Sequence, residues 1–119
     1  MIDFEIADAN RKTLFVEVIL PLAIPKTYTY RVPVLLNNFA EKGRRAVVQF
    51  GKSKIYTAII QAVSEIAPDK YEAKYLIDVI DEKPILNSIQ LNFWQWIADY
   101  YLCTLGEVMA AALPSALKL

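Results

Sequence analysis

The spacing of apolar residues changes at Pro84, and this change constrains the fold of the chain more than any other sequence feature. Before Pro84, apolar residues alternate with their neighbours in short runs, and a period of two is typical of β-strands. The runs that we predict as strands span residues 13–20, 27–32, 44–50, 55–63 and 74–81. After Pro84, apolar residues recur every three or four positions, which is typical of helices.

Turn and loop segments separate the predicted strands. Residues 34–43 form a loop that ends in glycine, residues 51–54 have the length of a hairpin loop, and a polar linker spans residues 64–72. Short strands in close succession favour a small antiparallel sheet. We therefore predict an α+β fold in which residues 13–83 form a small antiparallel β-barrel-like sheet of about five or six strands. Two C-terminal helices follow in residues 87–113.

Two capping-box patterns predict where these helices begin. Asn87 precedes Gln90 by three residues, and Thr104 precedes Glu107 by the same distance. The first helix, Ser88 to about Tyr101, has two apolar stripes. One stripe contains Ile89, Phe93, Ile97 and Tyr100, and the other contains Leu91, Trp94, Ala98 and Tyr101. Two apolar stripes require two surfaces, so we expect one to pack on the sheet and the other on something outside this chain.

Size and composition exclude several classes of protein. A chain of 119 residues is enough for a single domain, which we assign to residues 1–119. The chain has one cysteine and no histidine, so we expect no disulfide, no Cys/His metal site and no histidine-dependent catalytic triad. The N-terminus lacks the pattern of a signal peptide, and no run is long enough to span a membrane. These features predict a cytoplasmic protein with no catalytic residues, no cofactor in this chain and no membrane partner.

Positive charge is concentrated in one stretch of the sequence. The chain has a formal net charge of zero, yet residues 25–63 contain seven lysine or arginine residues and one acidic residue. The same stretch contains Tyr28 and Tyr30. Aromatic rings together with positive charge are typical of proteins that bind single-stranded nucleic acid. The residues that we nominate for contact with DNA phosphates are Lys26, Arg44, Arg45, Lys52 and Lys54.

Each of these motifs has a simpler interpretation. Tyr28 and Tyr30 lie on one face of a predicted strand, where tyrosines commonly pack across strands, so packing and ligand contact both stay open. Arg44 and Arg45 are adjacent on a strand, so only one can face a given groove, and we expect the other to be solvated. Residues 51–53 (GKS) do not form a Walker A motif, because position 46 is alanine and a strand follows.

A set of motifs, taken in their order along the chain, resembles the N-terminal 3′-DNA-end-binding domain of the PriA family of primosomal replication-restart helicases. The motifs are FVEVILPL at 15–22, PKTYTY at 25–30, VP at 32–33, GRRAVVQFG at 43–51, VIDEKPIL at 79–86, ADYYLCTLGEV at 98–108 and ALP at 112–114. The resemblance covers about residues 13 to 118.

The resemblance implies a module that captures the 3′ end of the nascent leading strand at a stalled replication fork, for primosome assembly and replication restart. It implies forked or single-stranded DNA with a free 3′ end as the main partner. The family's helicase motor, winged-helix and zinc-binding regions lie downstream of the region matched here. The full-length proteins are ATP-dependent 3′–5′ DNA helicases that use ATP, Mg and Zn. Further implied partners are those downstream domains, primosome proteins and single-strand-binding protein.

The family's pocket for the terminal nucleotide implies a set of site residues. Carried over by position, they are Tyr28, Thr29, Tyr30, Gly51 and Lys74. Tyr28 offers a stacking face for a base, Gly51 allows the backbone to approach the ligand, and Lys74 can pair with a phosphate. The family commonly has aspartate at the position of Thr29. A hydroxyl accepts a hydrogen bond from a 3′-hydroxyl more weakly than a carboxylate does.

A second function is compatible with the sequence. The domain can instead be a protein-interaction module that docks on a motor domain and does not bind DNA. This alternative predicts association through the face formed by Leu91 to Tyr101.

Overall fold

Five strands form one antiparallel sheet in the computed structural model, which describes residues 12–81 and 83–113. The strands are β1 (Leu14–Ile19), β2 (Tyr28–Val32), β3 (Arg45–Phe50), β4 (Lys54–Ser64) and β5 (Asp78–Val79). Their spatial order is β2-β1-β4-β3-β5, and the sheet curls into a half-barrel. A 3-10 turn spans Val34–Phe39, and two helices follow the sheet, α1 (Ser88–Tyr101) and α2 (Leu105–Ala112). The predicted α+β class and the order of its elements are confirmed.

Alternation along the strands divides the apolar residues between two cores. In β1, Val16 and Val18 point into the curled face of the sheet and are fully buried. Ile19 points to the opposite face, where it joins Ile59 of β4 and the apolar side of the helices. The sheet therefore has a packed core on each face, one beneath its own curl and one beneath the helices.

The last predicted strand is wrong in its extent. We predicted residues 74–81, whereas only Asp78–Val79 pair with β3 as a ladder. The preceding residues bond to a different strand: Tyr75 forms an isolated parallel bridge with Arg31 of β2, and the backbone N–H of Leu76 donates to the Arg31 carbonyl. The chain thus crosses from one edge of the sheet to the other, and this crossing divides what the alternation suggested was a single strand.

Both predicted capping boxes are present in the structure. The backbone N–H of Gln90 donates to Asn87 Oδ1 and that of Asn87 donates to Gln90 Oε1, each over 2.9 Å. Thr104 and Glu107 make the same reciprocal pair at the start of α2. These bonds satisfy backbone donors that the first turn of a helix would otherwise leave without partners.

One stripe of α1 packs on the sheet and the other does not. Leu91, Trp94 and Ala98 are buried against the second core, as the predicted stripe requires. Tyr101, which we placed on the same stripe, is 68% exposed. Neither helix in the described part of the chain has the length and apolar character of a membrane span.

Gly43, just before β3, packs against residues 84–86, which lead into α1. Its φ of +92° lies in the left-handed region, and a Cβ built there would be 1.9 Å from the Leu86 carbonyl oxygen. The Gly43 carbonyl also accepts a bond from the backbone N–H of Ile85. Glycine is the residue that this close approach permits.

Candidate nucleic-acid interface

A cavity of about 240 Å³ opens where β2, the β3–β4 turn and the segment before β5 meet. Its lining residues are Tyr28, Thr29, Tyr30, Gln49, Phe50, Gly51, Tyr71, Glu72 and Lys74. The cavity therefore brings together all five residues that the resemblance nominates for the 3′ end. Its volume is slightly below the roughly 300–1,000 Å³ of pockets for drug-sized ligands.

Tyr30 forms part of the frame of this pocket. It is 4% exposed, and its hydroxyl donates a 2.7 Å hydrogen bond to the Gln49 carbonyl of β3. Burial, with smaller contributions from Tyr71 and Tyr28, raises the pKa of Tyr30 to about 12. Of the two interpretations left open for the tyrosine pair, packing therefore describes Tyr30.

Tyr28 has a different environment from Tyr30. It is half-buried, and its ring meets the Phe50 ring edge-on with centroids 4.9 Å apart. The Tyr71 ring lies 6.3 Å away at a tilt, and Lys26 Nζ lies 5.9 Å from the centre of the Tyr28 ring. Tyr28 thus combines an aromatic surface at the cavity with a cation beside it, which is the arrangement that favours base stacking next to a phosphate.

Gly51 begins the turn between β3 and β4 at the rim of the cavity. Its φ is +77°, and a Cβ built there would have no heavy atom within 4 Å. Glycine is therefore required here by the backbone conformation, and the space in front of it is open to a ligand. Gln49 Nε2 donates to the Lys52 carbonyl over 3.0 Å and holds the turn from inside.

The segment 71–74 forms the wall opposite this turn. The backbone N–H of Thr29 donates to the Tyr71 hydroxyl over 2.8 Å, and the backbone N–H of Arg31 donates to the Lys74 carbonyl over 2.7 Å. The segment is thus fixed to β2 at both of its ends. Sequence reasoning identified Lys74 but assigned Tyr71 and Glu72 to a polar linker; the available signal was a single aromatic residue in a polar stretch.

The nominated cations divide into two groups. Lys26, Lys52 and Lys54 are exposed and make no ion pair within the residues that the structure describes. Lys26 lies beside the pocket, Lys52 belongs to the turn that begins at Gly51, and Lys54 is the first residue of β4. Their ammonium groups are therefore available to phosphates near the cavity.

The two arginines are held by the protein itself. Arg44 is 6% exposed and contacts the Glu41 carboxylate at 2.9 Å and the Phe39 carbonyl at 3.1 Å. Arg45 makes a two-pronged bond to Asp81, with distances of 2.7 and 3.0 Å. The expectation that one of the two is solvated was wrong, because each has an acidic partner.

The Arg45–Asp81 pair is strong enough to perturb both groups. Hydrogen bonding from Arg45 holds the pKa of Asp81 below its ordinary value against the opposing effect of burial. The same bond raises the pKa of Arg45. Both groups therefore stay charged at neutral pH and belong to the frame.

A second aromatic surface lies on α1, far from the pocket in sequence. Phe93, Trp96 and Tyr100 are more than half exposed, and we call these three residues the aromatic row. Their rings stack, with centroids 6.0 Å apart for the first pair and 5.2 Å for the second. The face predicted for association, Leu91 to Tyr101, was wrong as stated, because Leu91, Trp94 and Ala98 are buried. Trp96 was missed because it belongs to neither predicted stripe.

No group of three or more potential metal ligands occurs among residues 12–81 and 83–113.

Comparison with known proteins gives consistent matches. A family model described as the 3′DNA-binding domain (3′BD) matches residues 17–114. The replication restart protein PriA of Treponema pallidum is 29% identical over 105 residues, which cover 85% of this chain and 16% of that protein. PriA of Haemophilus influenzae is 30% identical over 105 residues, 87% of this chain and 14% of that protein. PriA of Bacillus subtilis is 28% identical over 109 residues, 87% of this chain and 13% of that protein. The chain thus spans about one seventh of the length of these relatives.

Proposed function

The chain belongs to the 3′DNA-binding domain (3′BD) family of PriA, and from this premise we propose that its pocket binds the 3′-terminal nucleotide of a DNA strand. The observation that carries the proposal is the convergence of Tyr28, Gly51 and Lys74 on one cavity. These residues come from three separate segments of the sequence. The resemblance nominated them by position alone.

The proposed roles follow from the chemistry of each group. Tyr28 stacks on the terminal base, which is worth about 1–3 kcal/mol and does not depend on base identity. The backbone at Gly51 approaches the sugar or base, and Lys74 pairs with a phosphate. Lys26, Lys52 and Lys54 attract the strand outside the cavity. We assign Arg44 and Arg45 to the frame, because a phosphate would have to compete with their internal partners.

The wider context is proposed from the relatives. The three relatives named replication restart protein PriA are about six to eight times as long as the matched segment, and we propose that residues 1–119 act as the N-terminal module of such a protein. In that setting the partners are forked DNA with a free 3′ end, the downstream helicase domains, and primosome and single-strand-binding proteins in the cytoplasm. Any ATP-dependent activity belongs to the downstream domains.

Oligonucleotides that differ only at their 3′ end test the proposal. We expect the chain to bind a 3′-hydroxyl strand with a Kd on the order of micromolar to millimolar at low salt. A 3′-phosphate should weaken binding, whereas a 5′-phosphate, as the matched control, should not. Equal affinity for both 3′ ends in fluorescence anisotropy would contradict end recognition. The absence of any binding would contradict the DNA-binding role of the pocket.

The aromatic row favours a second, compatible function. Residues 84–113 contain no lysine or arginine, while Asp99 and Glu107 are acidic, so this surface is apolar and negative and does not suit DNA. We propose that it docks on the remaining domains of the longer protein. Trp96→Ser should weaken binding of this chain to a separately produced remainder, and Lys52→Ala should not. Unchanged binding of the Trp96 variant would contradict the docking proposal.

A further inference from the structure

One acidic side chain lines the proposed DNA pocket. Among the nine lining residues, Glu72 is the sole carboxylate. It is exposed and makes no ion pair or hydrogen bond through its side chain within the described part of the chain. A free carboxylate in a site for a polyanion is unfavourable to every phosphate that comes near it. The ligand group that a carboxylate attracts is a hydrogen-bond donor or a cation.

The position of Glu72 is fixed by its neighbours. Tyr71 accepts a bond from the backbone of Thr29, and Lys74 accepts one from the backbone of Arg31. Glu72 lies between these two anchors, on the wall that faces the cavity. It is therefore held at the pocket and is not the tip of a free loop.

The 3′ end of a DNA strand differs from its interior in one hydrogen-bond donor. A 3′-terminal nucleotide has a free 3′-hydroxyl that can donate, whereas an internal nucleotide has a phosphodiester at the same oxygen. A carboxylate accepts from a hydroxyl in a charge-assisted bond and repels a phosphate. Within the pocket, one such group can favour an end and disfavour an interior position at the same time.

We infer that Glu72 is the residue that selects the 3′ terminus, with its carboxylate accepting a hydrogen bond from the free 3′-hydroxyl. This inference rests on the proposed function and adds a specificity-determining residue to it. The roles divide along the wall: Lys74 pairs with a phosphate on the 5′ side, and Glu72 meets the end of the strand. Thr29, which also lines the cavity, is neutral, so Glu72 is the lining residue that supplies negative charge.

Glu72→Gln tests the inference with little change of shape. Glutamine can still accept a hydrogen bond but has no charge. For the wild-type chain we expect a preference of about tenfold for a 3′-hydroxyl strand over the same strand with a 3′-phosphate, as a hydrogen bond to a charged group implies. In the variant this ratio should fall to near one, because the 3′-hydroxyl strand loses the charge-assisted bond and the 3′-phosphate strand is no longer repelled. The melting temperature should be unchanged, since the side chain is exposed and unbonded.

Asp69→Asn is the matched control, because it removes one negative charge from an exposed position that does not line the pocket. It should leave the preference ratio unchanged. If the wild-type chain binds DNA and discriminates between the ends, but Glu72→Gln keeps the same ratio, the inference fails while the proposed function stands. If the wild-type chain does not discriminate, the proposed end recognition fails first.

Discussion

The pocket and the aromatic row both present exposed or half-exposed aromatic rings, yet they differ in enclosure and in charge. In the pocket, Tyr28 and Phe50 meet edge-on, and the surrounding stretch of residues 25–63 is strongly positive. In the row, the rings stack nearly parallel on an open helix surface whose charged neighbours are acidic. Aromatic content alone therefore does not distinguish the two regions, and the cavity together with the local positive charge is the reason that we propose DNA binding at the pocket.

The two regions also differ in how the chain assembles them. The row comes from one helix, in which Phe93, Trp96 and Tyr100 are neighbours at spacings of three and four. The pocket is assembled from three separate segments, held together by bonds such as that from Thr29 to Tyr71, which are 42 positions apart. Substitutions should thus affect the pocket through its frame, while the row should tolerate them.

The largest expected effect is a difference in the free energy of unfolding between substitutions on the buried and the exposed face of α1. Trp94 is 6% exposed and packs in the second core, so Trp94→Ala should lower the free energy of unfolding by about 3–5 kcal/mol. Trp96 is 57% exposed, and Trp96→Ala should cost less than about 1 kcal/mol. Urea denaturation followed by circular dichroism measures both. Similar losses for the two variants would mean that the row is structural and would break the comparison.

The next largest effect concerns DNA affinity. Tyr28→Ala should weaken binding of a 3′-hydroxyl strand by about 1–3 kcal/mol, because it removes the stacking face of the pocket. Trp96→Ala removes an exposed aromatic of comparable size from the row and should leave the Kd unchanged. Fluorescence anisotropy at constant low salt measures both variants. If Trp96→Ala lost as much affinity as Tyr28→Ala, the assignment of DNA binding to the pocket alone would be wrong.

Local signals explain which parts of this molecule could be predicted from its sequence. The alternation of β1 and the capping boxes at Asn87 and Thr104 depend on residues within a few positions of one another, and both appear as predicted. The pocket residues Tyr28, Gly51 and Lys74 were nominated by resemblance. Their convergence on one cavity is a structural observation, and their contact with DNA stays a prediction.

The parts that could not be predicted depend on distant partners. Arg45 reads as a surface cation until Asp81, thirty-six residues later, is placed against it. Glu72 reads as part of a linker until Tyr71 is bonded to β2. In both cases the chemistry of the residue is visible in the sequence, but its surroundings are set by the crossing of the chain between the sheet edges.

A third effect, of about 1 kcal/mol, tests whether Tyr30 is frame or ligand contact. Tyr30→Phe removes the hydroxyl bond to Gln49 and should lower the free energy of unfolding by about 0.5–1.5 kcal/mol. Because the folded pKa of Tyr30 is raised to about 12, its contribution is fully present below pH 10 and is lost as the pH rises through 12.

The wild-type chain should therefore lose stability between pH 10 and pH 12 that the Tyr30 variant does not lose. Absorbance at alkaline pH should show a late ionisation near pH 12 that Tyr30→Phe abolishes and Tyr100→Phe, in the row, retains. A late step that survives in Tyr30→Phe would mean that this tyrosine is not the buried one.

The smallest expected effect is on the salt dependence of DNA binding. Lys52 is an exposed cation at the turn after Gly51, and if it contacts one phosphate, Lys52→Ala should make the slope of log K against log salt shallower by about 0.7. Arg45→Ala is the informative control, because it removes the same formal charge from the same basic stretch. Arg45→Ala should lower the free energy of unfolding, because it breaks the bond to Asp81, and should leave the slope of log K against log salt unchanged. If both variants changed the slope equally, net charge rather than geometry would govern binding, and the distinction between the pocket's free lysines and its structural arginines would have no functional meaning.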